Sequence, residues 1–264
     1  MKHIESRDNP RFKALRALVG DAREQQLRGR TLIDGPHLVA AYRQKVGAPE
    51  LLLVSESGLE RDEIRQLLAE HEGVDALLLR DALFRELSGV ASPAGIAAEI
   101  AIPAAAPAPQ TCDCVLLDAV QDAGNVGSIL RSAAAAGISH VCLGTGCAGA
   151  WTPRVLRAAQ GAHFDLQLYE RCDLRELLRA YRGCAVATVA GGASLFDADL
   201  AGPLAWVFGN EGQGIAAEVL DLCRLRLGIP LAAHCESLNV AAAAAVCLFE
   251  GVRRRGLRKR GGRG

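Results

Sequence analysis

No stretch of eighteen or more apolar residues occurs in this chain of 264 residues, which excludes a membrane-spanning helix. The opening Met1-Lys2-His3-Ile4-Glu5-Ser6-Arg7 does not set a basic cap before an apolar run, so no secretory leader is expected and the cytoplasm is the expected location. Net charge is also missing, with 30 Lys and Arg against 30 Asp and Glu, so the surface as a whole does not attract a polyanion. Cysteine occurs nine times, an odd number scattered singly, which excludes a disulfide framework in favour of reduced thiols. The one close pair, Cys112-x-Cys114, has no second Cys/His pair at ligand spacing, and no metal site is expected.

Half of the residues are hydrophobic, enough for one large core or two modest ones, and the length favours two domains. The Pro/Ala run Ile102-Pro103-Ala104-Ala105-Ala106-Pro107-Ala108-Pro109-Gln110-Thr111 has no apolar periodicity and reads as a flexible linker. It separates a domain at 1–101 from one at 112–264. The zero net charge hides an asymmetry: residues 1–45 hold ten basic and five acidic side chains, and 250–264 hold seven and one. Thirteen basic and twenty-four acidic residues remain between them, so an RNA-like polyanion would be drawn to the two ends.

Before the linker, strand patterns at 30–34, 51–55, 76–80 and 95–100 alternate with helical ones at 36–44, 62–70 and 81–87, a small α/β unit. The segment from Ser6 to Arg16 reads as a capped basic helix, with Leu15 and Leu18 inward and Arg7, Arg11, Lys13 and Arg16 available to phosphate. After the linker, apolar runs at 115–117, 140–143, 165–169, 185–189, 205–208 and 225–227 alternate with helices starting near Asn125, Pro153, Asp173, Ala216 and Ser237. Apolar strands with helical crossovers imply a parallel sheet covered on both faces.

Three pieces of the second half stand where an apolar strand gives way to a loop or a helix start, leaving backbone groups free to grip a ligand. The first is Asp122-Ala123-Gly124-Asn125-Val126-Gly127 with Arg131, in which Asn125 suits a helix cap and Arg131, two turns in, can lean back towards the N-terminal turn. The second is Gly209-Asn210-Glu211-Gly212-Gln213-Gly214, whose glycines let the backbone approach a ligand while Glu211 offers acceptors. The third is Ser237-Leu238-Asn239-Val240, in which Ser237 suits an N-cap; Ile229-Pro230 precedes it. A fourth motif, Gly144-x-Gly146-x-x-Gly149, formally matches the dinucleotide fingerprint. Its helix starts only near Pro153 and no ribose-binding acid follows at the right distance, which disfavours a nicotinamide (NAD) oxidoreductase. His234 and Glu236 read as an exposed loop pair.

The order Asn-x-Gly-x3-Arg, Gly-Asn-Glu-Gly, Ser-Leu-Asn-Val resembles the three motifs of the SpoU (TrmH-like) branch of the SPOUT RNA 2′-O-ribose methyltransferases, over roughly residues 112–255. Ala123 stands where that family usually has Pro. The resemblance implies a C-terminal α/β domain with a deep trefoil knot, preceded by an L30e-like substrate-binding domain, and a homodimer. It implies S-adenosyl-L-methionine held by Gly209, Gly212, Ile229 and Leu238, with Arg131, Asn125, Glu211, Ser237 and Asn239 as catalytic residues. RNA is the implied partner, ribosomal before transfer RNA, with no DNA. The family's proposal of the matching arginine as general base meets the difficulty that a guanidinium holds its proton tightly, so steering phosphate and stabilising an alkoxide is the alternative role for Arg131. A noncatalytic RNA-binding protein of the same fold is the rival reading, opposed by the intact motif residues.

Overall fold

A computed structural model describes residues 1–104 and 106–261, excepting the side chains of 257–261. It divides into two compact units, Met1–Ala104 with Trp151–Phe164, and Ala105–Ala150 with Asp165–Gly264.

The first unit runs β1 (Lys2–Ile4), α1 (Pro10–Gly20), α2 (Ala22–Arg28), β2 (Arg30–Asp34), α3 (Pro36–Lys45), β3 (Leu51–Ser55), α4 (Glu56–Leu59), α5 (Asp62–Glu70), β4 (Ala76–Leu79), α6 (Asp81–Ser88) and β5 (Ile96–Ala101). Its sheet has the order β1-β4-β3-β5-β2, in which β1, β4 and β3 are parallel and β5 is antiparallel to both β3 and β2. Asn9 caps α1 by accepting from the Arg11 amide, Pro10 presets the first turn, and Phe12, Leu15 and Leu18 fill the core. Sequence periodicity does not find β1, α2 or α4: three or four residues are too few to show a period, and α2 buries only Gln25.

The expected boundary at 112–264 needs correcting, because α8 (Pro153–Ala159) belongs to the first unit. The Trp151 carbonyl accepts from Thr31 Oγ1 at 2.8 Å and Gln25 Nε2 at 3.2 Å, Arg157 donates to the Ser88 carbonyl at 2.8 Å, and Phe164 meets Tyr42 edge-on at 5.4 Å. The far half of the expected flexible linker is anchored rather than loose. Its Pro107 carbonyl accepts from Tyr169 Oη at 3.0 Å and its Gln110 carbonyl from the Arg182 amide at 2.8 Å; Ala105 lies outside the described residues.

The second unit comprises β6 (Cys114–Leu117), α7 (Ala123–Ala135), β7 (His140–Gly144), β8 (Gln167–Cys172), α9 (Leu174–Ala180), β9 (Cys184–Ser194), β10 (Leu204–Phe208), α10 (Ala217–Leu220), β11 (Leu225–Gly228) and α11 (Val240–Gly261). All its strands are parallel, in the order β11-β9-β10-β6-β7-β8. The central pair β6 and β10 is buried along its whole length, as continuous apolar runs require in a sheet covered on both faces. A 3-10 turn, Ala162–Asp165, replaces the start of the strand expected at 165. Helix α11 packs on α7 and β10 through Ala244, Cys247 and Leu248, and Gly251 lies so close to Trp206 that a Cβ there would stand 3.4 Å from the indole.

Helix α11 also accounts for part of the C-terminal basic stretch. Arg253 donates to Glu250 at 2.6 and 2.7 Å, Arg254 at 2.7 Å, and Arg255 pairs with Asp113; the side chains of Arg258, Lys259 and Arg260, and all of Arg263, lie outside the described residues. The Arg253 and Arg254 guanidiniums hold the Glu250 carboxyl down at about 2. A carboxyl depressed by folding stabilises the fold above its unfolded value near 4.5, and that contribution fades as pH falls towards about 2. Acid titration followed by thermal melting should therefore show the parent losing more Tm between pH 5 and 2.5 than Glu250→Gln does; equal losses would remove the pairing from the stability of α11.

Candidate functional site

The C-terminal ends of β9, β10 and β11 and the start of α11 surround a cavity of about 480 Å³. Gly209, Glu211, Ile229, Ser237, Leu238 and Asn239 all line it, so two of the three motifs meet there with Ile229. Gly212 does not line it; its amide instead donates to Asn210 Oδ1 at 2.8 Å and shapes the loop.

Loop geometry follows from the backbone. Gly209 leaves β10 so close to the returning chain that a Cβ would lie 2.3 to 2.5 Å from Gly214 and Ile215 backbone atoms, so no side chain fits. Asn210 and Gly214 exchange both backbone hydrogen bonds at 2.9 Å, closing the loop with Glu211 outward.

Side-chain amides then join the motifs. Asn239 Nδ2 donates to Asn125 Oδ1 at 2.9 Å, and Asn125 Nδ2 donates to Glu211 Oε1 at 2.6 Å. Each asparagine donates and accepts at once, so the first motif reaches the cavity through its hydrogen bonds rather than by lining it. Two expected caps are corrected here. Asp122, not Asn125, caps α7 by accepting from the Asn125 amide at 2.8 Å, which frees the Asn125 side chain to link the other motifs. Asn239, not Ser237, caps α11, its Oδ1 accepting from the Ala241 and Ala242 amides at 2.9 and 3.3 Å, because the helix begins only at Val240. Ser237 lies on the exposed loop before it.

Arg131 lies two turns into α7, exposed, and among the described residues its guanidinium has no carboxylate or hydrogen-bond partner. The four N-terminal cations differ. Arg7 and Arg16 both pair with Glu86, at 2.9 and 3.0 Å, Lys13 with Asp8 at 2.9 Å, and Arg11 with the buried Glu99 at 2.5 Å. The basic face expected on α1 is thus largely neutralised by its neighbours.

Several contributors escape the sequence reading. Thr188, Val189 and Ala190 form one cavity wall because the β9–β11 register jumps between Arg226 and Leu227, pushing the intervening β9 residues out of the ladder. Gly191-Gly192 inside a strand was the signal, since paired glycines there mark a bulge. Asp118 is another, accepting from the Ala216 amide at 2.7 Å. Burial pushes the Cys147 thiol up to about 11, and it donates to the Leu117 carbonyl at 3.2 Å. Among the described residues no three His, Cys, Asp or Glu side chains gather as a metal site, and no helix is long and apolar enough to cross a membrane.

Comparison with known proteins points to one group. A 23S rRNA (guanosine(2553)-2'-O)-methyltransferase, RlmP of Bacillus subtilis, is 33% identical over 94% of this chain and 98% of its own length. The SpoU methyltransferase AviRb of Streptomyces viridochromogenes, solved with the cofactor AdoMet, superposes with a TM-score of 0.80 at 27% identity, covering 94% of this chain and 99% of that one. An RNA 2'-O ribose methyltransferase structure gives 0.80 at 29% identity, with 96% and 99% covered. Residues 114–249, the stretch that holds the cavity and the amide chain, match the SpoU rRNA Methylase family, and the chain belongs to that family.

Proposed function

We propose that the protein is an S-adenosylmethionine-dependent RNA 2′-O-ribose methyltransferase that acts on ribosomal RNA. The observation that carries this reading is the Asn239–Asn125–Glu211 chain, which ties three motifs distant in sequence to one cavity, with Arg131 on the same helix α7 as Asn125. The cavity suits the methyl donor: the place where a Gly209 side chain would stand is closed by backbone, leaving apolar Ile229 and Leu238 with polar Asn210 and Glu211 as its lining. When bound, S-adenosylmethionine supplies a methyl group activated on a sulfonium. This chain's task is then to place a ribose hydroxyl in line and manage its proton and charge, a task in which orientation dominates. Arg131, a cation without a partner among the described residues, is suited to hold the phosphate beside the target ribose and to stabilise the developing alkoxide. Glu211, Asn125 and Asn239 fix one another, and Ser237 sits on the loop they border.

The remaining parts of the proposal concern assembly and RNA choice. Ala242, Val246 and Phe249 lie one or two turns apart along the outer face of α11; Val246 is 36% and Phe249 47% exposed, a stripe that a second copy would cover. The trefoil threading implied by the family accords with the strand order of the second unit, and the residues of 1–101 select the RNA. A cytoplasmic site accords with a ribosomal RNA substrate.

Calorimetry and single-turnover transfer should separate the two halves of the site. Arg131→Ala should bind S-adenosylmethionine within about threefold of the parent yet lose roughly a hundredfold in transfer rate; Gly209→Val should lose cofactor binding itself. Parental transfer by the first variant, or parental affinity in the second, would overturn the respective assignment, and ribose-methylation mapping of RNA from a deletion strain identifies the target. Light scattering should find a dimer that Phe249→Glu dissociates with loss of activity; a fully active parental monomer refutes the assembly. Replacing Arg11, Lys13 and Arg16 together by Ala should weaken RNA binding and make its logarithmic salt dependence shallower. The slope should change by less than the roughly 2 expected from three free phosphate contacts, because each cation already has a carboxylate partner; an unchanged slope and affinity would move the RNA guide elsewhere.

A further inference from the structure

The Gly144-x-Gly146-x-x-Gly149 loop, spaced like a dinucleotide site, takes no part in the chemistry above. Its surroundings give it another role. Ala119, where β6 gives way to the loop leading into α7, is held at φ 53°, in the left-handed region that glycine enters freely and alanine only at a cost. Such a residue persists where its neighbours over-determine it. Asn210 Nδ2 donates to the Ala119 carbonyl at 2.9 Å, and the Ala148 amide donates to the next carbonyl, that of Val120, also at 2.9 Å. Gly146, at φ 89°, presses from the same loop, so that a Cβ added there would stand 3.3 Å from the Ala119 Cβ.

Asn210 is itself fixed. Its Oδ1 accepts from the Gly212 and Gln213 amides at 2.8 and 3.0 Å, and its backbone is bonded in both directions to Gly214. Asp118, one residue before Ala119, accepts from the Ala216 amide just beyond the same loop. Ala119 therefore stands between the cavity-lining loop on one side and the glycine loop after β7 on the other. The peptide that follows it carries Asp122, whose cap orients the first turn of α7 and so the Asn125 side chain.

We propose that Ala119, Asn210 and Gly146 are positioning residues for methyl transfer: a clamp that fixes the β6–α7 loop, and with it Asn125 and Arg131, against the cavity. The glycines of the Gly144–Gly149 loop serve close backbone approach to Ala119, not a phosphate. The inference rests on the methyltransferase reading for its kinetic consequence, but the clamp has a readout of its own.

The test is a substitution cycle in the full-length chain. Gly146→Ala should slow single-turnover transfer at saturating RNA and S-adenosylmethionine by about tenfold, with cofactor Kd moving less than about threefold. Ala119→Gly alone should slow transfer by less than Gly146→Ala does, since glycine accepts the left-handed geometry but loosens the clamp. Combining the two removes the crowded Cβ pair, though not the strain of an alanine held at φ 89°, and should recover part of the lost rate, a non-additivity that general destabilisation does not produce. Asn210→Asp, which keeps the acceptor for Gly212 and Gln213 but loses the donor to Ala119, should also slow transfer by about tenfold. In the cofactor-free protein, hydrogen exchange across 118–126 should quicken in Gly146→Ala and Asn210→Asp. Parental rates and exchange in both single variants would overturn the clamp, as would equal losses of transfer and cofactor affinity with no recovery in the double variant. A parent that binds S-adenosylmethionine yet methylates no RNA would refute the methyltransferase reading instead, and the exchange measurement would still decide the clamp.

Discussion

Two asparagine amides and one carboxylate hold the functional half of this protein in register. Asn239 donates to Asn125 and Asn125 to Glu211, and these three residues come from the starts of two helices and the turn after a central strand. The relay is directional, because the Glu211 carboxylate can only accept, so Asn125 turns its amide nitrogen to it and its oxygen to the Asn239 donor. Each such bond contributes only about 0.5–1.5 kcal/mol net, so the relay does not hold the fold together. That falls to the buried strands β6 and β10 and the helices packed on them. What the relay supplies is a side-chain link that brings the third motif into line with the first two, which the Asn210–Ala119 and Ala216–Asp118 bonds already join.

Much of this was legible in the sequence, and the reasons differ by element. Central strands such as Leu204–Phe208 announce themselves as unbroken apolar runs, and the three loop motifs stand where those runs end. The caps are harder to place, two or three residues off in α11 and α7, because Asp, Ser and Asn cap about equally well. What decides between Ser237 and Asn239, or between Asp122 and Asn125, is where each helix begins, Val240 for α11 and Ala123 for α7, and only the folded arrangement shows that Asn125 and Asn239 bond each other. Strand β1 is invisible for another reason: three residues gain strand character only from pairing with β4. A knotted threading, which the family resemblance implies, would leave no trace in periodicity at all.

Charge shows the limits of counting. The excess of basic residues at both ends suggested two faces attractive to a polyanion, yet the cations of α1 pair with Glu86, Asp8 and Glu99, and Arg253 to Arg255 pair with Glu250 and Asp113. Paired cations still contribute to a long-range field only as dipoles, and exposed pairs are individually worth little to stability. Arg131, with no partner among the described residues, differs from these paired cations. A guanidinium left without an internal carboxylate keeps its full charge for an external anion, and that distinction between similar arginines is one that position alone, not composition, provides.

The interleaving of the chain, in which Trp151–Phe164 leaves one unit to complete the other, bears on how such proteins can be recombined. An N-terminal unit spliced onto a foreign C-terminal half at the Pro/Ala run would lack the 151–164 segment that receives Thr31, Gln25 and Tyr42, and the donor half would carry that segment with no surface to meet it. Swaps between relatives must therefore exchange two separate stretches together. The two halves are not interchangeable cassettes, and substitutions in 151–164 should track the partner surface of the first unit rather than the sequence on either side.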